Sequence, residues 1–132
     1  MGRAQRYALA AAFALSCGSA LGQSVFQVQG NTCTFTGATP APTAVQCPAN
    51  SGVPAPQVVL TNISSTVDVW VSWGATAAAA AVNAAIPTST TKFGYYLLRG
   101  TQVVVSTPPN AFFTGTTASS TAVVYITPGT GQ

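Results

Sequence analysis

The clearest pattern in this chain is a two-residue alternation that recurs in short segments divided by turn-forming residues. In "VDVWVSWG", Val67, Val69, Val71 and Trp73 fall on one side of an extended segment, because strand side chains point alternately to opposite faces. Asp68, Trp70 and Ser72 fall on the other side, so a second tryptophan stands where solvent is expected. Similar runs predict strands in "QVVLTN", "KFGYYLLRG", "TQVVVST", Ala111–Thr114 and "TAVVYITPG". Near the start, "QSVFQVQGNTCTFTG" alternates on either side of Gly30-Asn31, which predicts a hairpin from Val25–Gln29 to Thr32–Thr36.

Between these runs lie clusters of Gly, Pro, Asn, Ser and Thr, spaced as in antiparallel sandwiches and barrels rather than βαβ units. Five of the nine prolines fall between Pro40 and Pro56, which predicts a proline-rich loop over 39–56. A short edge strand at Ala44–Gln46 fits there, beside Thr32–Phe35. "GATAAAAAVNAAIP" is ambiguous: alanine favours helix, but so short a run is marginal alone, leaving a helical turn or two or an extended loop for Ala77–Ala85. The expected fold is therefore all-β, an antiparallel, jelly-roll-like sandwich of about seven to nine short strands.

The strand runs carry an excess of apolar residues. Val58-Val59-Leu60, Val103-Val104-Val105, Tyr95 to Leu98 and Val123-Val124-Tyr125 place apolar groups on both faces, whereas a two-layer sandwich buries one face of each sheet. A second copy or another protein is expected to cover the surplus, since monomers seldom expose large contiguous apolar patches. Trp70, Tyr95, Tyr96, Phe112 and Phe113 are the candidate interface residues, aromatics being enriched at interfaces. The alternative is that they form local core beneath a long loop.

The first residues read differently. Arg3 and Arg6 precede an apolar stretch from Tyr7 to Leu15 and small residues around Ala20-Leu21-Gly22. That is the pattern of a secretory signal peptide, 1–22, with a retained helix or, through Cys17, a lipoprotein signal as alternatives. The apolar run is too short to span a bilayer, so no stable membrane span is expected. Residues 23–132 then make one domain.

Composition narrows the function classes. Beyond Gly22 the only charged side chains are Asp68, Lys92 and Arg99, a net charge of +1. Phosphate-backbone binding needs a patch of several cations, so no nucleic acid is expected as a partner. Polarity comes instead from 19 Thr and 9 Ser in the same stretch. Lys92, Arg99 and Asp68 read as solvated or paired surface groups. Without His or Glu, neither a Ser-His-Asp triad nor a carboxylate pair can be built, and no S-x-x-K precedes Lys92. No enzymatic activity, metal or cofactor is expected. "NIS" at Asn62 matches a glycosylation acceptor, a pattern common by chance. Cys33 and Cys47 are expected to pair, closing a loop of about 15 residues worth roughly 3 kcal/mol, with two buried thiols as the alternative.

From Gln57 onward the layout resembles the small β-sandwich structural proteins of tailed-bacteriophage virions. The residues that carry the likeness are "VVLTNISSTVDVWVSWG" and "GTQVVVSTPPNAFFTGTTASSTAVVYITPGTGQ", about 75 positions of the region. The resemblance implies a non-enzymatic structural subunit in a virion, such as a capsid decoration, cement or fibre-associated protein. It also implies a homo-oligomer, a trimer in particular, bound to other virion proteins such as capsid. The signal-like segment and the cysteine pair fit a secreted or periplasmic surface protein instead. A carbohydrate-binding module stacking sugars on Trp70, Trp73, Tyr95 or Tyr96 is the third reading.

Overall fold

The computed structural model describes residues 25–88 and 94–131. The signal-like segment, Cys17 and Lys92 lie outside them. Nine strands and one short helix follow in order: β1 (Gln27–Val28), β2 (Cys33–Gly37), β3 (Val45–Gln46), β4 (Gln57–Asn62), β5 (Val69–Gly74), α1 (Ala77–Val82), β6 (Tyr95–Leu97), β7 (Gln102–Ser106), β8 (Phe112–Thr116) and β9 (Ala122–Thr130). Among the described residues no helix is long and apolar enough to cross a membrane.

The strands form two antiparallel sheets. The larger runs β1-β9-β4-β7, with β2 also paired to β9; the smaller runs β3-β8-β5-β6. From β2 onward the chain changes sheets at each connection except the step from β5 to β6. This is the jelly-roll order, so the expected fold class holds. Strand β9 organises the larger sheet, with β4 along one edge and β1 and β2 end to end along the other.

That arrangement corrects the expected hairpin: β1 and β2 do not pair with each other. The chain steps at Gly30, where the proline-rich segment presses in. A Cβ there would lie 2.8 Å from the Pro48 carbonyl oxygen, and the Asn50 amide donates to the Gln29 carbonyl at 2.7 Å. Strand β3 lies near β2 as expected but across the sandwich, hydrogen-bonding to β8 in the smaller sheet. Cys33 and Cys47 nevertheless meet in a disulfide with a Cα–Cα distance of 5.7 Å. Because Cys33 begins β2 and Cys47 follows β3, the bond ties the two sheets together.

Between the sheets lie Phe35, Val58, Leu60, Val69, Val71, Leu97, Phe113, Val124 and Ile126, all buried. Each such side chain contributes about 1.5–3 kcal/mol through loss of apolar surface from water. Phe113 corrects one expectation. It is fully buried, opposite Trp73 on the inner face of the smaller sheet, and is therefore core rather than interface. Glycines make room for the opposite sheet: a Cβ on Gly115 would sit 2.9 Å from the Phe35 ring, and one on Gly37 2.7 Å from Val69.

One polar group is built into this core. Asn62 at the end of β4 is fully buried, and its amide nitrogen donates to the carbonyls of Val67 (2.9 Å) and Leu97 (3.3 Å). Its amide oxygen accepts the Ser64 N–H at 3.0 Å. The side chain thus links the larger sheet to the turn before β5 and to the end of β6. A side chain buried in this way is closed to glycan attachment in the folded protein.

Two outcomes follow for stability. Replacing both Cys33 and Cys47 by Ser should lower the unfolding free energy by about 3 kcal/mol, the entropy cost of freeing a loop of this length, measured by urea denaturation. Asn62→Ala removes the partner of the Leu97 carbonyl, which is buried, and of the part-buried Val67 carbonyl and Ser64 amide, and should cost about 1–3 kcal/mol in the same assay.

Candidate aromatic cleft and open sheet edge

The outer face of the smaller sheet begins as the alternation predicts, with Trp70, Ser72 and Gly74 on β5. Across the strands Trp70 stands opposite Tyr96 and Thr116, Ser72 opposite Thr114, and Gly74 opposite Phe112. The unexpected feature is the cover. Helix α1 lies over the Ser72 end: Thr76 caps it by accepting the Ala79 N–H at 3.1 Å, the usual role of a threonine N-cap. The Ser72 hydroxyl donates to the Ala80 carbonyl at 2.9 Å. Gly74 makes room, since a Cβ there would come within 2.7 Å of Ala79. The alanine run is therefore helical where it packs, and the tertiary contact decides what composition leaves open.

The proline-rich segment covers the middle of the same face. The Thr114 hydroxyl donates to the Pro42 carbonyl at 2.7 Å, and Thr39 bonds to the Thr116 hydroxyl and the Thr117 carbonyl. Ser72, Thr114, Thr116 and Thr117 are all buried. Much of the face expected to need a partner is thus covered by the chain itself.

The cover ends at Trp70 and Tyr96. Their rings pack with centroids 4.6 Å apart and planes tilted by 39°. Trp70 is half-buried, and Tyr96 retains 45 % of its surface. Beside them opens a cleft of about 160 Å³ lined by Thr66, Val67, Asp68, Trp70, Tyr96, Ala118 and Ser119. Asp68 holds its rim together: one carboxylate oxygen accepts the Arg99 backbone N–H at 2.8 Å, the other the Tyr96 hydroxyl at 2.8 Å. The Arg99 guanidinium approaches the first oxygen at 3.4 Å and donates to the Thr66 carbonyl at 3.1 Å. The Arg99 amide, then the Tyr96 hydroxyl and the Arg99 charge, hold the Asp68 carboxyl below the usual carboxylate range, while partial desolvation opposes them. The same hydrogen bond to Asp68, aided by desolvation, raises the Tyr96 phenol.

The other candidates separate. Tyr95 pairs with Val71, on the inner-face register, and keeps 38 % exposure. Phe112 is half-buried on the outer register beside Gly74. Asp68 and Arg99, legible only as a generic surface pair, turn out to brace the exposed aromatic pair. Thr66 and Ser119 carried no signal among so many hydroxyl residues.

Among the described residues no helix lies over the larger sheet; Phe26 packs on its outer face at Gly129, and the valines there are half-buried while Tyr125 is exposed. That face holds Val59, Val104, Val123 and Tyr125 among Thr34, Thr36, Thr61 and Thr127, and no strand of this sheet contains a charged residue. Among the described residues its edge is open at β7, five residues long with three consecutive valines. Of the other edges, β3 has two residues amid prolines and β6 three, while β2 is five residues long and is tied by the disulfide to the residue that follows β3. Edge strands of monomers are usually guarded by charge, proline or a bulge; the sequence of β7 has neither charge nor proline.

No protein-family model, curated protein or solved structure matches this chain.

Asp68 is the only acidic side chain in the sequence, which gives the cleft a clean signature. With its folded-state pKa depressed, the carboxylate stabilises the fold above its unfolded value, and this contribution is lost as pH falls through the folded value. The melting temperature of the wild type should therefore fall on acidification through the carboxylate range. In Asp68→Asn it should start lower and change much less with pH, as followed by circular dichroism.

Proposed function

We propose that this protein is a non-enzymatic structural subunit that works by packing the outer face and open edge of its larger sheet against copies of itself. The observation that carries the reading is that surface: Val59, Val104, Val123 and Tyr125 set among threonines, bounded by the unguarded strand β7, with no charge in the sheet. An uncharged face meets its own copy without like-charge repulsion, and an open edge offers backbone groups for antiparallel strand addition. Symmetric association of identical chains is also the commonest route to an oligomer.

The setting we favour is a tailed-phage virion, as a capsid decoration, cement or fibre-associated subunit joined to other virion proteins. The likeness of the second half to such proteins supports it, and the jelly-roll order is an architecture that recurs in viral capsid domains; both are arguments from likeness. Many weak copies on a lattice would hold by avidity. A secreted or periplasmic surface protein is the second reading, favoured by the Cys33–Cys47 disulfide, since such bonds persist in oxidising compartments.

Sedimentation equilibrium on the purified protein at micromolar concentration should give a multiple of the chain mass, three by the virion likeness. Val104→Lys places a charge in mid-edge and should shift the mass to that of one chain, while the variant remains folded by circular dichroism. A wild type that sediments as a single chain would refute self-assembly.

A further inference from the structure

The cleft beside Trp70 and Tyr96 lies on the sheet opposite the proposed assembly face, so what it does can be judged separately. It is the place where the chain stops covering its own outer surface. Helix α1 and residues 39–42 shield the rows at Ser72 and Thr114 through hydrogen bonds to buried hydroxyls, and the next row, Trp70 with Tyr96, is left partly open.

Three properties of this opening define what fits. Trp70 and Tyr96 form one wall of it, their rings packed on each other with centroids 4.6 Å apart. Such a wall suits a puckered ring with polarised C–H bonds on one face, which the negative π-face of an aromatic attracts. Its rim is polar but electrically balanced, because the two charged side chains of the described residues, Asp68 and Arg99, neutralise each other here. No net charge is left to select an anion or a cation. Its acceptors are also fixed in place. The Asp68 carboxylate has about four lone-pair sites, of which the Arg99 amide, the Arg99 guanidinium and the Tyr96 hydroxyl engage at most three. The Tyr96 oxygen, its proton given to Asp68, keeps its own acceptor capacity.

We infer that this cleft is a subsite for one ring of a neutral saccharide. The apolar face of the pyranose lies against the exposed surface of the Trp70–Tyr96 pair. Its hydroxyls donate to Asp68 and the Tyr96 oxygen and meet the hydroxyls of Thr66 and Ser119. The cleft is small, about 160 Å³, and offers a single subsite. Affinity at a single subsite is accordingly weak, and specificity rests on which hydroxyls reach the fixed carboxylate.

The full protein should be titrated with maltohexaose, cellohexaose and chitohexaose, reading tryptophan fluorescence and amide chemical shifts. At least one sugar should give saturable changes centred on Trp70, Tyr96 and Ser119. Trp70→Ala should weaken that binding by about tenfold or more, the equivalent of a lost aromatic stack, while Trp70→Phe restores most of it. Thr66→Val, which leaves Asp68 and its partners in place, provides a milder test and should weaken binding without lowering the melting temperature. Absence of any saturable change with all three sugars at tens of millimolar would overturn the inference. So would binding that a folded Trp70→Ala variant retains in full. Neither result depends on the oligomeric state, so failure here is distinct from failure of the assembly reading.

Discussion

Two sheets packed face to face solve only half of a burial problem. Each has an outer face, and a chain as apolar and as poor in charge as this one cannot leave both bare. The structure deals with the two faces differently, and most of its other features follow from that asymmetry. The smaller sheet is covered from within the chain, by α1 at one end and the proline-rich segment across the middle. Because charge is scarce, hydroxyls supply the polar matching: Ser72 to Ala80, Thr114 to Pro42, Thr39 to Thr117. Each lets a strand and its covering segment approach without a stranded buried carbonyl, which would cost about 1–3 kcal/mol.

The larger sheet is left with a mixed valine and threonine exterior and an unguarded edge. That contrast carries the assembly reading, more than the amount of apolar residue in the strands as a whole. Two cross-ties keep the arrangement rigid: the disulfide at one place, and the Asn62 amide with its three backbone partners at another. Asp68 works similarly at the cleft, joining the turn before β5 to β6 and to the residues after it. Exposed ion pairs contribute little by themselves; here the same carboxylate also holds a backbone amide and a phenol, and so fixes the orientation of Tyr96 beside Trp70.

Strand positions, the all-β class, the cysteine pairing and the inner alternation of Val69, Val71 and Trp73 were legible in the sequence, because each rests on local period or simple counting. The pairing of β1 and β2 with β9 was not, since a Gly-Asn break looks alike whether the chain reverses or merely steps. Phe112 and Phe113 show the limit of adjacent apolar residues: one must face inward, and only the strand register selects Phe113. The cover on the smaller sheet was hidden for a different reason. Nothing in the alanine run or in Pro40–Pro56 announces which strand they will lie against, although Gly74, a bare position at the strand end, is a signal in retrospect. Asn62 was read through its sequon and not through its burial, because three backbone partners from distant turns leave no local trace.

The difference in cover between the sheets is tested most directly by native-state hydrogen exchange at several protein concentrations. The amides of Val103 to Val105 in β7 should gain protection as concentration rises, while those of β5 beneath α1 stay equally protected throughout. Exchange in β7 that does not vary with concentration would contradict the account, since that edge would then be complete, or left open, in the single chain.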